Sequence, residues 1–181
     1  MNPSVDKDVV KRYYEEVVST GNVERIADFI APEYTEVYRN VRYPVGIEGA
    51  CDHVLGVRRT YPDLCLSVGQ QIAEGEWVVT QVTMRGTHRG EWLGMTPTGK
   101  AVEVTAVNVD RVVGARIVQH GGAANLLETL LEIGAIRVAG PESGGDRDRA
   151  RYYPEDDDYL LEREPFVTHY EVIEASRADV G

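Results

Sequence analysis

The chain has few cysteines, no long apolar run and no apolar N-terminal segment, the features that mark disulfide-rich, membrane-spanning and secreted proteins. Its 181 residues include two cysteines, Cys51 and Cys65, without CxxC spacing, which predicts reduced, mostly buried thiols and no disulfide framework. No apolar run approaches the roughly 20 residues that cross a bilayer. The N-terminal residues are charged throughout and lack the apolar core of a signal peptide. We therefore expect a cytoplasmic protein that is not bound to a membrane.

Basic patches are also scarce, because the formal net charge is −11. Nucleic acids and anionic membrane surfaces are bound by such patches, so neither is an expected partner. The sequence contains no P-loop, no GxGxxG and no GxSxG motif. His53, His88 and His120 lie on different predicted elements without the spacing of metal ligands. We expect no cofactor and no metal.

The order of the predicted elements indicates an α+β fold. From the spacing of apolar residues, helices are predicted over 6–20 (with Ser4 or Asp6 as N-cap), 23–30, 47–60 and 125–133. From their alternation, strands are predicted over 34–38, 64–73, 77–87, 101–112 and 115–122, the last two forming a hairpin. We expect a curved antiparallel sheet wrapped around the first helix. The open end of such a cone is a small-molecule pocket.

The chain divides by composition near residue 136. Residues 1–136 contain all the predicted elements, and 137–181 are expected to form a linker and an acidic C-terminal extension. The linker, 141–151, is rich in Gly and charged residues, and an acidic run follows at Glu155–Asp158. From Arg137 onward there are 6 basic and 12 acidic residues, which gives −6 of the total −11. The segment PFVTHYEVI alternates like a strand.

Several motifs follow one another in a recognisable order. They are VVKRYYEEVVSTGN in the first helix, TYPDL at 60–64, GTHRGEWLGMTPTGK at 86–100, RIVQH at 116–120 and NLLETLLEIG at 125–134. With them, residues 9–134 resemble the SnoaL-like polyketide cyclases of the nuclear-transport-factor-like superfamily. The resemblance implies a cone-shaped α+β barrel with a central pocket. It also implies ring closure of aromatic polyketides by intramolecular aldol condensation, without metal or cofactor.

The resemblance further implies an acid that this chain lacks. The family's enzymes rely on an aspartate two residues after the His that ends the last strand, where this chain reads His120-Gly121-Gly122. The His or Asp of the preceding strand is Asn108 here. One hypothesis is therefore a cofactor-free acid/base enzyme of secondary metabolism, performing ring closure, isomerisation or epoxide opening on a polycyclic intermediate. The alternatives are a non-catalytic binding or partner protein and a hydroxylase-type component.

Polar side chains on the half-buried hairpin form the candidate catalytic site, because such groups need a partner or a ligand. With a three-residue loop over 113–115, Asn108 faces His120 and Asp110 faces Val118 on the same side. Asp110 would then orient and charge His120, the predicted acid/base. A two-residue Val113-Gly114 loop would turn His120 to the opposite face. In the structural alternative, His120 is a satisfied strand-end histidine and Asp110 a solvated turn residue.

Other residues are predicted at the pocket and on the outer face of the sheet. His88 is expected to assist at the pocket mouth, or else to pin the following loop by a hydrogen bond. A small hydrophobic or aromatic metabolite would contact Tyr14, Trp92, Val82 and Met84, although Tyr14 also fits a core role and Trp92 a hydrophobic cap. A homodimer is predicted through the stripe that faces away from the pocket: Trp77, Val79, Gln81, Thr83 and Arg85.

Overall fold

The structure is a computed structural model that describes residues 3–92, 94–139 and 169–172. The chain forms two compact units, Met1–Ile133 and Gly134–Gly181. The helices of the first unit are α1 (Pro3–Arg12), α2 (Ile26–Phe29), α3 (Gly46–Thr60) and α4 (Leu127–Ile133), with a π-helical segment over Tyr13–Val18 and a 3-10 turn over Val23–Arg25. Its strands are β1 (Ile30–Tyr38), β2 (Val41–Pro44), β3 (Cys65–Glu74), β4 (Trp77–Thr87), β5 (Ala101–Val113) and β6 (Arg116–Ala124).

The strands form one sheet in the order β2-β1-β6-β5-β4-β3. The sheet is curved and unclosed, with β2 and β3 at its edges. The predicted α+β fold is confirmed. Not every strand pair is antiparallel as predicted, because β1 and β6 run parallel. A parallel pair needs a long crossover connection, and here all of α3 and β3–β5 lie between the two strands.

The first helix packs its apolar stripe against the sheet. The buried cluster that joins them includes Val10, Tyr14, Val17, Val78 and Ile117. The predicted N-cap is wrong, because Ser4 and Asp6 lie inside α1, which the structure describes from Pro3. Proline suits a first turn, since its missing N–H would have no helical partner there. None of the helices in the described ranges is long and apolar enough to cross a membrane.

The β1–β2 hairpin differs from the prediction. The helix predicted over 23–30 ends at Phe29, and β1 begins at Ile30 instead of the predicted residue 34, so that Ala31-Pro32 lies in a strand. The ladder with β6 is irregular between Ile30 and Thr35, where a residue without an N–H is tolerated. β2 lies where the sequence predicted no strand, and the turn before it is Arg39-Asn40, with φ of 50° and 63°. Two residues at positive φ suit a hairpin turn, but this pair lacks the Asn-Gly signal.

The β5–β6 hairpin determines which side chains meet in the sheet. It turns through Gly114-Ala115, both at positive φ (57° and 59°), so the predicted three-residue loop is wrong. A one-residue register shift follows the turn. Because such a shift moves side chains to the other face, His120 comes directly opposite Asp110.

The two cysteines are not equally buried. Cys51 is half-buried in α3, whereas Cys65 is exposed at the start of β3. The prediction of mostly buried thiols is therefore wrong for Cys65. β3 is an edge strand whose residues alternate between half-buried and exposed, and Cys65 lies on the exposed side.

The second unit contains a small antiparallel sheet. β7 (Ile136–Ala139) pairs with β8 (His169–Val172), and β8 lies in the tail segment that alternates like a strand. β7 crosses the predicted domain boundary between residues 136 and 137. The predicted linker 141–151 and the acidic run Glu155–Asp158 lie outside the described residues.

Candidate active site

A cavity of about 640 Å³ lies between the π-helical segment, α3 and strands β4–β6. Its volume is that of a small-molecule site. The wall is mostly apolar and includes the four residues predicted to contact a ligand: Tyr14, Val82, Met84 and Trp92. Asn108 and His120 also line it. In the described part of the chain, no group of three or more His, Cys, Asp or Glu side chains is placed to hold a metal ion.

A chain of hydrogen bonds connects four polar side chains in and behind this wall. The Tyr14 hydroxyl donates to Asp110 Oδ2 at 2.7 Å, and His120 Nδ1 lies 2.8 Å from Asp110 Oδ1. Asn108 Nδ2 donates to Tyr14 Oη at 3.1 Å. Asp110 is fully buried, and a carboxylate without access to water needs such partners. Asn108 does not face His120 as predicted, because it lies opposite Gly122 in the observed register.

The network sets the protonation states of its members. Burial lowers the pKa of His120, but the charge and hydrogen bond of Asp110, together with the charge of Glu36, hold that pKa above its usual value. Burial and the adjacent Asp110 raise the pKa of Tyr14 well above its usual range, so the phenol stays protonated. The His120 side chain is 22% exposed. Because Asp110 occupies its Nδ1, Nε2 is the nitrogen available to a ligand.

Two residues of the site, Glu36 and His53, carry no recognisable sequence signal for a role there. His53 lines the cavity, and its Nδ1 lies 2.6 Å from Glu36 Oε1. Glu36 is the register partner of His120 in the β1–β6 ladder. Burial raises the pKa of Glu36, but His53, His120 and Tyr34 outweigh burial and hold that pKa below its usual value. The parallel strand pair brings Glu36 to the site, and local alternation does not predict that pairing.

His88 lies behind the cavity wall, and its assisting role at the mouth stays a prediction. It is fully buried and is not among the residues that line the cavity, but its ring lies 6.0 Å from the ring of Tyr61 and 6.2 Å from that of Trp92, which both line it. β4 ends at Thr87, so His88 belongs to the following loop and not to the alternation of the strand. Its Nδ1 lies 3.1 Å from Thr98 Oγ1, and its backbone bonds to Gly99 and Lys100. These bonds hold the loop after β4, which is the structural alternative for this residue.

Gly122 occupies a position with no room for a side chain. A Cβ there would lie 2.5 Å from Asn108 Oδ1 and 2.8 Å from the backbone oxygen of Val107. Contacts this short essentially never occur for a real Cβ. At this position, where the resemblance implies an aspartate, glycine is therefore a steric requirement of the present arrangement of Asn108.

The fold and the cavity agree with a known family. The family model described as SnoaL-like polyketide cyclase matches residues 8–133, which is more than half of the chain. The chain belongs to the SnoaL-like polyketide cyclase family.

Individual relatives support the same fold. Aklanonic acid methyl ester cyclase AcmA of Streptomyces galilaeus is 29% identical over 110 residues, which cover 58% of this chain and 74% of AcmA. The structure of IdmH from Streptomyces antibioticus, a candidate polyketide cyclase, is 26% identical with a TM-score of 0.62, over 71% of this chain and 98% of IdmH. A candidate polyketide cyclase from Acidithiobacillus ferrooxidans is 25% identical with a TM-score of 0.67, over 74% and 98%.

Proposed function

We propose that this protein is a cofactor-free enzyme of secondary metabolism that transfers protons during ring closure of an aromatic, polyketide-like compound. His120 is the principal acid. Asp110 orients and charges His120, while Tyr14 and Asn108 keep Asp110 in place. The observation that carries the proposal is the 2.8 Å contact between His120 Nδ1 and the fully buried Asp110. It leaves Nε2 of a cavity-lining histidine free to act on a ligand.

The chemistry of ring closure needs a proton donor at an oxygen atom. In an aldol addition, an enolate carbon attacks a ketone carbon of the same molecule. A carbon–carbon bond forms, the carbonyl π bond breaks, and the oxygen takes up a proton. His120 supplies that proton from Nε2, and its raised pKa keeps the imidazolium populated near neutral pH. The mostly apolar wall lowers the local dielectric constant, which strengthens the attraction between the imidazolium and the negative charge that develops on the oxygen.

The cavity supports a small hydrophobic or aromatic ligand. Tyr14 and Trp92 supply aromatic faces, and Val82 and Met84 supply an apolar surface. By its name, the relative AcmA cyclises aklanonic acid methyl ester, so this ester is the first substrate to test. Isomerisation or epoxide opening would use the same proton donor.

The test incubates the protein with aklanonic acid methyl ester and separates the products by liquid chromatography with mass detection. Aldol closure without loss of water gives a product of unchanged mass at a new retention time. We expect His120→Gln to lower the rate about 100- to 10,000-fold, as for the loss of a positioned general acid. Glu103→Gln, at an exposed residue that does not line the cavity, is the control. Equal rates for the wild type and His120→Gln would refute the role of His120.

The alternative function is that of a non-catalytic binding or partner protein. Gly122 favours it, because the resemblance places the family's catalytic acid at that position. If the protein binds the ester, the bound ester should quench the fluorescence of Trp92. The measurement uses the Trp77→Phe variant, in which Trp92 is the remaining tryptophan. A non-catalytic protein would also yield no product under the conditions of the chromatographic assay.

A further inference from the structure

Glu36 and His53 form a second histidine–carboxylate pair beside the same cavity. We propose that His53, oriented by Glu36, is the base that removes the carbon-bound proton before ring closure, while His120 protonates the oxygen. This inference rests on the proposed function, which leaves the acceptor of the carbon-bound proton unassigned.

Three elements bring the second pair to the site. α3 places His53 in the cavity wall, and β1 places Glu36 beside His120 of β6. His53 Nδ1 lies 2.6 Å from Glu36 Oε1, so Nε2 is the ring nitrogen left for a ligand. The arrangement repeats that of the first pair, in which Asp110 occupies His120 Nδ1. The cavity therefore has two histidines in its wall, each with a carboxylate on Nδ1.

The Glu36–His53 pair differs from an ordinary surface ion pair. The Glu36 side chain is only 25% exposed, and His120 and Tyr34 also act on its charge. For comparison, the side chains of Arg85 and Glu103 are 55% and 54% exposed, and neither lines the cavity. Exposed pairs of that kind contribute little to stability. The Glu36 carboxylate, in contrast, contacts His53 and lies beside His120, so it is placed next to both histidines of the site.

The two pairs divide the proton transfers between them. His53 takes a proton with the lone pair of Nε2 from the carbon next to a carbonyl group, and the electron pair of that C–H bond becomes the enolate. The enolate carbon bonds to the ketone carbon, whose oxygen takes the proton from His120 Nε2. His53, 50% exposed, then releases its proton to water, and His120 regains one from water. The atoms balance without an oxidant, a reductant or a further reactant.

Proton abstraction can be measured without ring closure. The probe is 2-tetralone, an aromatic bicyclic ketone with enolisable benzylic hydrogens, whose proton NMR signal disappears as they exchange in D2O. We expect the wild type to accelerate the exchange and His53→Gln to lose about 100-fold or more of that acceleration. Glu36→Gln should lower the rate at saturating 2-tetralone with an unchanged KM, because Glu36 orients His53 through the contact at Nδ1. Glu103→Gln, which breaks the exposed pair with Arg85, is the matched control.

The outcomes separate this inference from the proposed function. Wild-type exchange in His53→Gln, or no acceleration by the wild type, overturns the assignment of His53 as the base. If His53→Gln also closes the ring of aklanonic acid methyl ester at the wild-type rate while His120→Gln does not, the proposed function is supported and the role of His53 as the base is refuted. Slow exchange and slow ring closure in His53→Gln, with unchanged quenching by the ester and unchanged thermal unfolding, support the second pair.

Discussion

Replacement of Asp110 by asparagine removes one negative charge from the interior and keeps the size of the side chain. In the wild type this carboxylate accepts hydrogen bonds from His120 and Tyr14 at 2.8 and 2.7 Å. Asparagine can still accept a hydrogen bond from His120 Nδ1, so the substitution acts mainly through charge. We expect the pKa of His120 to fall from above to below the usual 6.5 or so, because the charge of Asp110 no longer opposes the effect of burial.

The structure sets the size of this effect. Two unit charges about 4 Å apart attract by about 4 kcal/mol at an effective dielectric constant of about 20. This is an upper bound here, since 22% of the His120 side chain is exposed. About 1.4 kcal/mol corresponds to a tenfold change in a proton-binding constant. Loss of even half of this attraction should therefore lower the proton-binding constant of His120 by more than tenfold. Asparagine keeps one acceptor oxygen, so the hydrogen bond from the Tyr14 hydroxyl to the second carboxylate oxygen is lost. The loss of this hydrogen bond to a charged group should also lower the free energy of unfolding by about 1.5–3 kcal/mol.

The contribution of His120 to the pH dependence of stability should change sign. In the wild type the folded-state pKa of His120 is raised, so its contribution is present below the unfolded-state pKa and is lost as pH rises through the folded-state pKa. In Asp110→Asn the folded-state pKa is lowered. Stability should then increase as pH rises from the folded-state to the unfolded-state pKa.

Two measurements test this. Proton NMR follows the imidazole Cε1–H signals against pH, with the His120 signal assigned by its absence in His120→Gln. Urea unfolding at about pH 5.5 and about pH 8 gives the change in the free energy of unfolding. Asp63→Asn, which removes an exposed carboxylate bonded to Thr87, controls for net charge. An unchanged His120 titration in Asp110→Asn would refute the electrostatic role of Asp110.

The remaining predictions concern packing and assembly. Gly122→Asp should lower the free energy of unfolding by about 1–3 kcal/mol through overpacking, because its Cβ would lie 2.8 Å from the Val107 oxygen; an unchanged melting temperature would contradict this. Truncation after residue 140 removes β8, and the first unit should still unfold cooperatively on heating; a broad transition would show that the core needs the tail. Trp77→Glu, on the outer face of β4, should convert a homodimer to a monomer in sedimentation, whereas a wild type monomeric at tens of micromolar would rule out that dimer.

Elements with a long, regular apolar pattern were predictable from the sequence. A helix predicted over 47–60 is observed over Gly46–Thr60, and the strand predicted over 77–87 has those bounds. In both, the period of the apolar residues extends through the whole element, so it reports burial directly. The boundaries around β1 and β2 were wrong because a proline and an Arg-Asn turn gave misleading local signals.

The candidate site was only partly predictable, because non-local pairing assembles it. Asp110 and His120 meet through a register shift after a two-residue turn, and a shift of one residue leaves no mark in the alternation of either strand. Glu36 reaches His120 through a parallel pair of strands whose partners lie more than 80 residues apart in sequence. Sequence analysis could thus identify polar residues on the hairpin but not their partners from β1 and α3.

The missing aspartate of the family motif has a physical explanation in this arrangement. Asn108 occupies the space that a side chain at Gly122 would need, and from there it donates to Tyr14. Tyr14 in turn donates to Asp110, which bonds to His120. A carboxylate at position 122 would displace the first member of this chain of hydrogen bonds. The glycine is therefore compatible with a site whose acid is His120, because the buried carboxylate of Asp110 raises the pKa of that histidine.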